Sequence, residues 1–262
     1  MKKILFLLFF PIALSAQYAT TSYVTLNDGM EKDYLKIEEL WSEYHKEAVK
    51  NGHKSSWAIW KVDPTGYDDK VESSRIPHFM IVETYNNKTL LDEESDRYDT
   101  EGMKKIKTLI KQKLKGKISN RNINKILGKN VEKERRSYIH QGLAGTPLTG
   151  GSLKAGDIMR VTPMKQLEDD YEKYETEFYQ KIFSNNVMKG NHRWWAFSKI
   201  IDRSENALTF GTHSAWNIGI KGKQLDLPKD FASQKIMEIT GTARKMYNPT
   251  TYELVYLSLI HI

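Results

Sequence analysis

The chain has 262 residues, 40 Lys+Arg against 33 Asp+Glu, a formal net charge of +7 and no cysteine. Without cysteine there are no disulfides, thiolate nucleophiles or Cys-ligated metals, so stability has to come from packed core. The basic excess is mild and mixed among acids, which reads as a solvated surface rather than a nucleic-acid-binding stripe.

Met1-Lys2-Lys3, an apolar run over 4–14 and Ser15-Ala16 form a basic, apolar and small-residue series. We read residues 1–16 as a signal peptide, too short to span a bilayer, and expect a periplasmic or secreted protein with no stable membrane insertion. Cleavage after Ala16 removes Lys2 and Lys3 and leaves a charge of +5. A strand is expected at 22–26, then a helix whose apolar stripe is Tyr34, Ile37, Trp41, Tyr44 and Ala48, opened by an Asp28/Glu31 capping box and closed by Gly52. Strands follow at 56–62 and 79–85, helices at 101–114 and 120–127, and a strand near 136–143. The lysine-rich stretch 102–117, with Met103, Ile106, Ile110 and Leu114 between its charges, fits either a helix packed on the protein or one lying on anionic lipid or nucleic acid.

A Gly-, Thr- and Pro-rich segment at 145–155 reads as the linker. After it the pattern returns: a strand at 158–161, Thr162-Pro163 as a helix start, a stripe of Leu167, Tyr171, Tyr174, Phe178 and Ile182 ending at Gly190, strands at 193–201 and 208–213, a helix at 228–247 and a strand at 251–256. Tyr34, Glu38, Trp41, Gly52 and Trp57 meet Tyr171, Glu175, Phe178, Gly190 and Trp195, with a single residue inserted in the second copy. Residues 257–262, Leu-Ser-Leu-Ile-His-Ile, are the in-frame translation of a transposon adapter, so we expect them to be artefactual and to fray or make only generic apolar contacts, with no role for His261.

The fold class is therefore α+β, with two tandem βαββαβ units at 17–144 and 156–256. The motif Asp33-Tyr34-Leu35-Lys36-Ile37-Glu38-Glu39-Leu40-Trp41, His45 through Gly52 and Ser55 through Val62 resembles exported bacterial members of the dimeric α+β barrel (ferredoxin-like) superfamily. The resemblance implies an intrachain pseudo-dimeric barrel. It fixes no activity, because that superfamily includes cofactor-free monooxygenases, isomerases, haem enzymes and plain binding domains.

No phosphate-loop, zincin, serine-hydrolase or paired metal-ligand motif is present, and we expect no metal and no cofactor. Strand alternation offers the one residue-level lead. If Met80, Val82, Leu208 and Phe210 pack under the helices, then Glu83, Tyr85 and His213 point between the sheets, with Tyr23 and Arg160 beside them. Arg160 would hold an acidic or carbonyl group and His213 or Glu83 would move a proton. Trp57 and Trp195 serve as pocket walls or as large core residues. The leading expectation is a small-molecule-binding protein, a cofactor-independent oxygenase or isomerase. The alternatives are a non-catalytic interaction module whose barrel is filled, with Arg160 paired to Glu83, and a haem enzyme with His213 as axial ligand.

Overall fold

The computed structural model describes residues 17–68 and 71–259; residues 1–16, on which the signal-peptide expectation falls, and residues 260–262 of the tail, His261 among them, lie outside the described residues. The first half runs β1 (Tyr18–Leu26), α1 (Glu31–Lys50), β2 (Ser56–Asp63), β3 (Phe79–Tyr85), α2 (Lys88–Asp96), α3 (Thr100–Lys113), α4 (Asn120–Leu127) and β4 (Glu132–Gly145). The second runs β5 (Ile158–Gln166), α5 (Tyr171–Lys173), a π-helical turn (Tyr174–Tyr179), α6 (Gln180–Met188), β6 (His192–Arg203), β7 (His213–Gly219), α7 (Phe231–Ala243), β8 (Arg244–Met246) and β9 (Thr250–Leu259).

Every pairing is antiparallel, and the strand order is β7-β6-β4-β1-β3-β2-β9-β5-β8 with β7 also pairing to β5. Eight strands thus close into a barrel. Within it β4-β1-β3-β2 and β6-β7-β5-β9 are the two four-stranded sheets, joined edge to edge by β4–β6 and β2–β9. Alternation then sends side chains either into the bore or outward under the helices. Ala58, Trp60, Met80, Met159, Val161, Trp216 and Tyr252 build the bore, whereas Tyr34, Ile37, Trp57, Ile59, Phe79 and Ile81 pack beneath α1.

Helix α1 forms because its apolar positions recur at helical spacing and Gly52, at φ 73°, takes the left-handed turn that ends it. Gly190 does the same at φ 69° after α6. The capping box at Asp28/Glu31 does not form: Met30 is the cap residue and its side chain accepts no cap bond, while Glu31 and Asp33 in the first turn complement the helix dipole and pair with Lys61 and Lys129 at 2.6 Å each. Thr162 and Pro163 start no helix either; β5 runs through them because Met164 to Gln166 pair with β8. Helix α3 buries Ile106 and Ile110 against Leu40, Tyr44 and Ala48 of α1, so the face a lipid would need is already covered by protein.

The second halves of the two repeats depart from expectation in an instructive way. The third strand of the second unit is 213–219, not 208–213, because β6 extends to Arg203 and the chain needs 204–212 to return. Leu257 to Leu259 do not fray: they pair with Ser56 to Ala58, and Leu257 adds apolar contact to the bore. Ser258 is less well served, since its hydroxyl is buried with no partner.

The inserted residue of the second repeat has a structural address. His45 stacks on Trp57 (4.5 Å, 12°) as Phe183 stacks on Trp195 (4.8 Å, 6°), while Tyr34 and Tyr171 are both fully buried upstream. The π turn at Tyr174–Tyr179 lies between those anchors and absorbs the extra residue. Deleting the exposed Glu177 should therefore let the turn relax to α-helix with both anchors in register, changing stability by about 1 kcal/mol or less. Deleting Glu39 from α1, which has no such turn, should cost several-fold more; urea unfolding of the two deletions checks the difference.

Candidate functional site

Helix α1 presents Tyr34, Glu38, Trp41 and His45 along one face at spacings of four and three, and this face looks down on the outer side of β4-β1-β3-β2. Opposite stand Thr20 and Ser22 on β1, Trp57 on β2, Ile81, Glu83 and Tyr85 on β3, and Ser137 and Ile139 on β4. Between them is a cavity of about 430 Å³, closed at the side by Ser95 and Tyr98. Gly52 turns the chain back so that Lys54 enters this layer, where its side chain is fully buried.

The Lys54 ammonium organises the charges. Its Nζ lies 2.7 Å from Glu94 Oε1, 3.1 Å from Glu83 Oε1 and 3.2 Å from His45 Nδ1. Tyr44 donates to Glu94 (2.6 Å) and Tyr85 to Glu83 (2.6 Å). Burial pushes the Glu83 carboxyl up, but the Lys54 ammonium and the Tyr85 hydroxyl outweigh it and hold it well below the usual carboxylate range. Burial and Lys54 drive the His45 imidazole well below its usual range, so the ring is neutral. An ammonium can only donate, so Nδ1 accepts from Lys54 and the ring proton sits on Nε2.

Glu38 behaves oppositely. Burial, reinforced by the charges of Glu132 and Glu83, raises its carboxyl to about 7 against the pull of Arg135 and Tyr34. Arg135 offers only part of its charge because it forms a two-pronged pair with Glu132, at 3.0 and 2.6 Å. A buried carboxyl that titrates near neutrality, two helical turns from a neutral imidazole that lines the same cavity, is an arrangement suited to proton transfer on a substrate held between them.

The second repeat shows what the same layer looks like when it is filled. Trp57 pairs across the ladder with Glu83, and Trp195 with Asn217, so Asn217 stands where Glu83 does. By the same alignment Phe183 replaces His45 and His192 replaces Lys54. Glu175, the counterpart of Glu38, is paired with Arg244 from β8. The result is a packed cluster of Tyr171, Trp195, Phe197 and Phe183.

Of the residues expected to form one site, Glu83, Tyr85 and Trp57 do come together, but under the helix rather than between the sheets. Val82 and Met80, expected under the helices, face the bore. The inversion has a simple cause: both faces of β3 are buried, with Phe79, Met80 and Ile81 all in the core, so alternation alone does not say which face is which. Tyr23 does point into the bore, with Tyr67 and Tyr252. Arg160 is exposed on the outer face of β5, and the partner of Glu83 is Lys54. Ten positions separate Val24 from Tyr34 but seven separate the equivalent Met164 from Tyr171, and an odd change in loop length flips strand parity.

His213 and Trp195 lie in the filled second layer. His213 stacks on Phe197 at 5.2 Å, with Nε2 3.2 Å from Glu172 and Nδ1 2.8 Å from Thr212, so both ring nitrogens are engaged and neither is offered to a haem iron. Glu38, His45, Lys54, Glu94 and Tyr98 were missed. For the first two the signal was present: a Glu and a His at positions 38 and 45 fall inside the apolar stripe, where helical geometry buries them.

Replacing Lys54 by Met strands two carboxylates and should destabilise the protein by roughly 3–5 kcal/mol. Arg160→Ala, on the exposed face, should leave thermal unfolding close to unchanged. Melting curves of the two variants decide which cation supports Glu83.

No family model matches the chain, and no curated protein matches it. Among solved structures it is similar to a Lactobacillus acidophilus protein provisionally assigned as a monooxygenase, at 11% identity and a TM-score of 0.55 over 93% of this chain and 96% of that one. A second, from Fusobacterium nucleatum and assigned in the same way, is 8% identical with a TM-score of 0.55 over 94% and 95%. At such identities the likeness is one of fold. The chain has the dimeric α+β barrel fold of the ferredoxin-like class, with both halves carried on one polypeptide.

Proposed function

We propose that the protein is an exported small-molecule-binding protein whose cleft under α1 performs cofactor-independent proton transfer of the oxygenase or isomerase kind. The observation that carries this reading is the contrast between the two repeats. One layer is plugged by Phe183 and a Glu175–Arg244 pair, while the other keeps about 430 Å³ open around a carboxyl poised near pH 7. A purely structural role predicts two filled layers. The apolar leader read at 1–16 supports periplasmic or secreted placement.

In this mechanism a planar, weakly acidic substrate lies in the cavity against Trp41 and the edge of Trp57, whose faces are taken by His45 and Tyr256. The Glu38 carboxylate accepts its C–H or O–H proton, and the Nε2–H of His45 donates to the oxyanion that develops. Return of the proton to a second carbon isomerises the substrate. Transfer of an electron from the same anion to dioxygen, the only co-reactant required, begins an oxygenation. The Lys54–Glu83–Glu94 group holds His45 in its neutral tautomer throughout.

Two results are expected. The wild-type protein should accelerate exchange of the acidic C–H protons of 2-tetralone into D2O, followed by NMR, with a pH profile inflecting near 7. Glu38→Gln should lower that rate at least tenfold, and an equal rate in the variant at every pH removes Glu38 from the mechanism. The second result is in stability. Because Glu38 titrates higher in the folded than in the unfolded chain, its ionisation opposes folding as pH rises through 7, and the penalty vanishes below about 4.5. Glu38→Gln should accordingly gain up to about 3 kcal/mol over wild type at pH 8 and nothing at pH 4.5, read by urea unfolding.

A further inference from the structure

The barrel is not solid. On the other side of the sheet from the cleft, the bore holds a cavity of about 290 Å³. Its walls carry small side chains where strands usually carry large ones, among them Ala19, Ala58, Gly142 and Ala196, with Trp60 and Trp216 as flat faces. Tyr23, Tyr67, Tyr138 and Tyr252 crowd the far end, around a smaller space of about 60 Å³. The near end lies under Leu148 and Leu153 of the linker, and Leu148 is 38% exposed.

The polar groups at this cavity satisfy one another. Trp216 Nε1 donates to Ser198 Oγ (2.8 Å), Ser198 meets His140 Nδ1 (3.2 Å), and His140 Nε2 meets Thr21 (3.1 Å). Burial and Arg203 hold the His140 ring down to about 3, so the chain of contacts carries no charge. A wall of this kind gives a charged ligand nothing to replace its hydration, and gives a weakly hydrated one full apolar contact. An engineered apolar cavity of about 150 Å³ stays dry and takes up benzene, and this one is roughly twice as large.

We propose that the bore is a second binding site, separate from the cleft, for an uncharged flat aromatic molecule that enters beneath the linker and lies against Trp60 and Trp216. The site stands on its own lining and does not depend on the chemistry assigned to Glu38.

N-phenyl-1-naphthylamine, an uncharged aromatic fluorophore, is the probe. Titrated into the full chain it should bind saturably at one site and quench tryptophan fluorescence. Ala196→Phe, which fills the bore, should weaken binding at least tenfold and raise the melting temperature; Ala58→Leu, on another strand, should also weaken it and stands in if the first variant does not fold. His45→Phe, which plugs the cleft as Phe183 plugs its counterpart, should leave binding unchanged. Absence of saturable binding overturns the proposal, as does wild-type affinity in the bore-filling variants or loss of binding in His45→Phe alone.

Discussion

Everything in this molecule depends on edge strands that cannot be satisfied within either half. Each four-stranded sheet ends in two strands whose outer N–H and C=O groups need partners, and each has one face that its own helices do not cover. Pairing β4 with β6 and β2 with β9 satisfies all four edges and at the same time encloses both uncovered faces as the bore. A short linker makes this an intramolecular event, so closure does not depend on protein concentration. The helices are thereby fixed on the outside, and the space beneath α1 is defined by a floor that cannot slide.

Fusion of the two units also frees them to diverge. In a symmetric dimer a substitution appears in both layers, whereas here the layers have separated into one that is packed and one that is charged. The packed layer follows ordinary core logic, with stacked rings and a carboxylate neutralised by arginine. The charged layer is costly: Lys54, Glu83 and Glu94 are removed from water, and such triads are often no more stabilising than apolar side chains of the same volume. Their usefulness lies in what they do to their neighbours. One ammonium fixes the tautomer of His45, and the residual negative charge of Glu83 helps raise Glu38.

The repeat, the element order and the barrel were legible in the sequence because they rest on periodicity and on matched aromatics such as Trp57 and Trp195, and periodicity survives small changes in loop length. Facing was not legible. It required knowing which of two buried surfaces of β3 meets the helices, and carrying the alignment from the helix back to the first strand crossed a loop shortened by an odd number of residues, which turned Arg160 outward. The third strand of the second half slipped because Leu208 and Phe210 are β-formers used to cap the end of the bore. Glu38 aligns with Glu175 and helical spacing places both inside the apolar stripe, but spacing does not say whether a buried carboxyl is paired, as Glu175 is with Arg244, or left to titrate near neutrality.

The two cavities are built from the same strands, read at opposite parity. On β3, Val82 and Thr84 line the bore while Glu83 and Tyr85 line the cleft; on β2, Ala58 and Trp60 face one way and Trp57 the other. Each of these strands therefore carries two interleaved sequences under different constraints: uncharged toward the bore, and charged or hydrogen-bonding groups such as Glu83 and Tyr85 admitted toward the cleft. A change in one set leaves the backbone ladder intact, because the main-chain hydrogen bonds do not depend on which side chain is present. The same tolerance explains how Leu257 to Leu259 extend β9 along β2 although Ser258 finds no partner for its hydroxyl. The barrel constrains pairing tightly and side-chain identity loosely, which is the condition under which one repeat can keep a packed layer while the other is remade into a site.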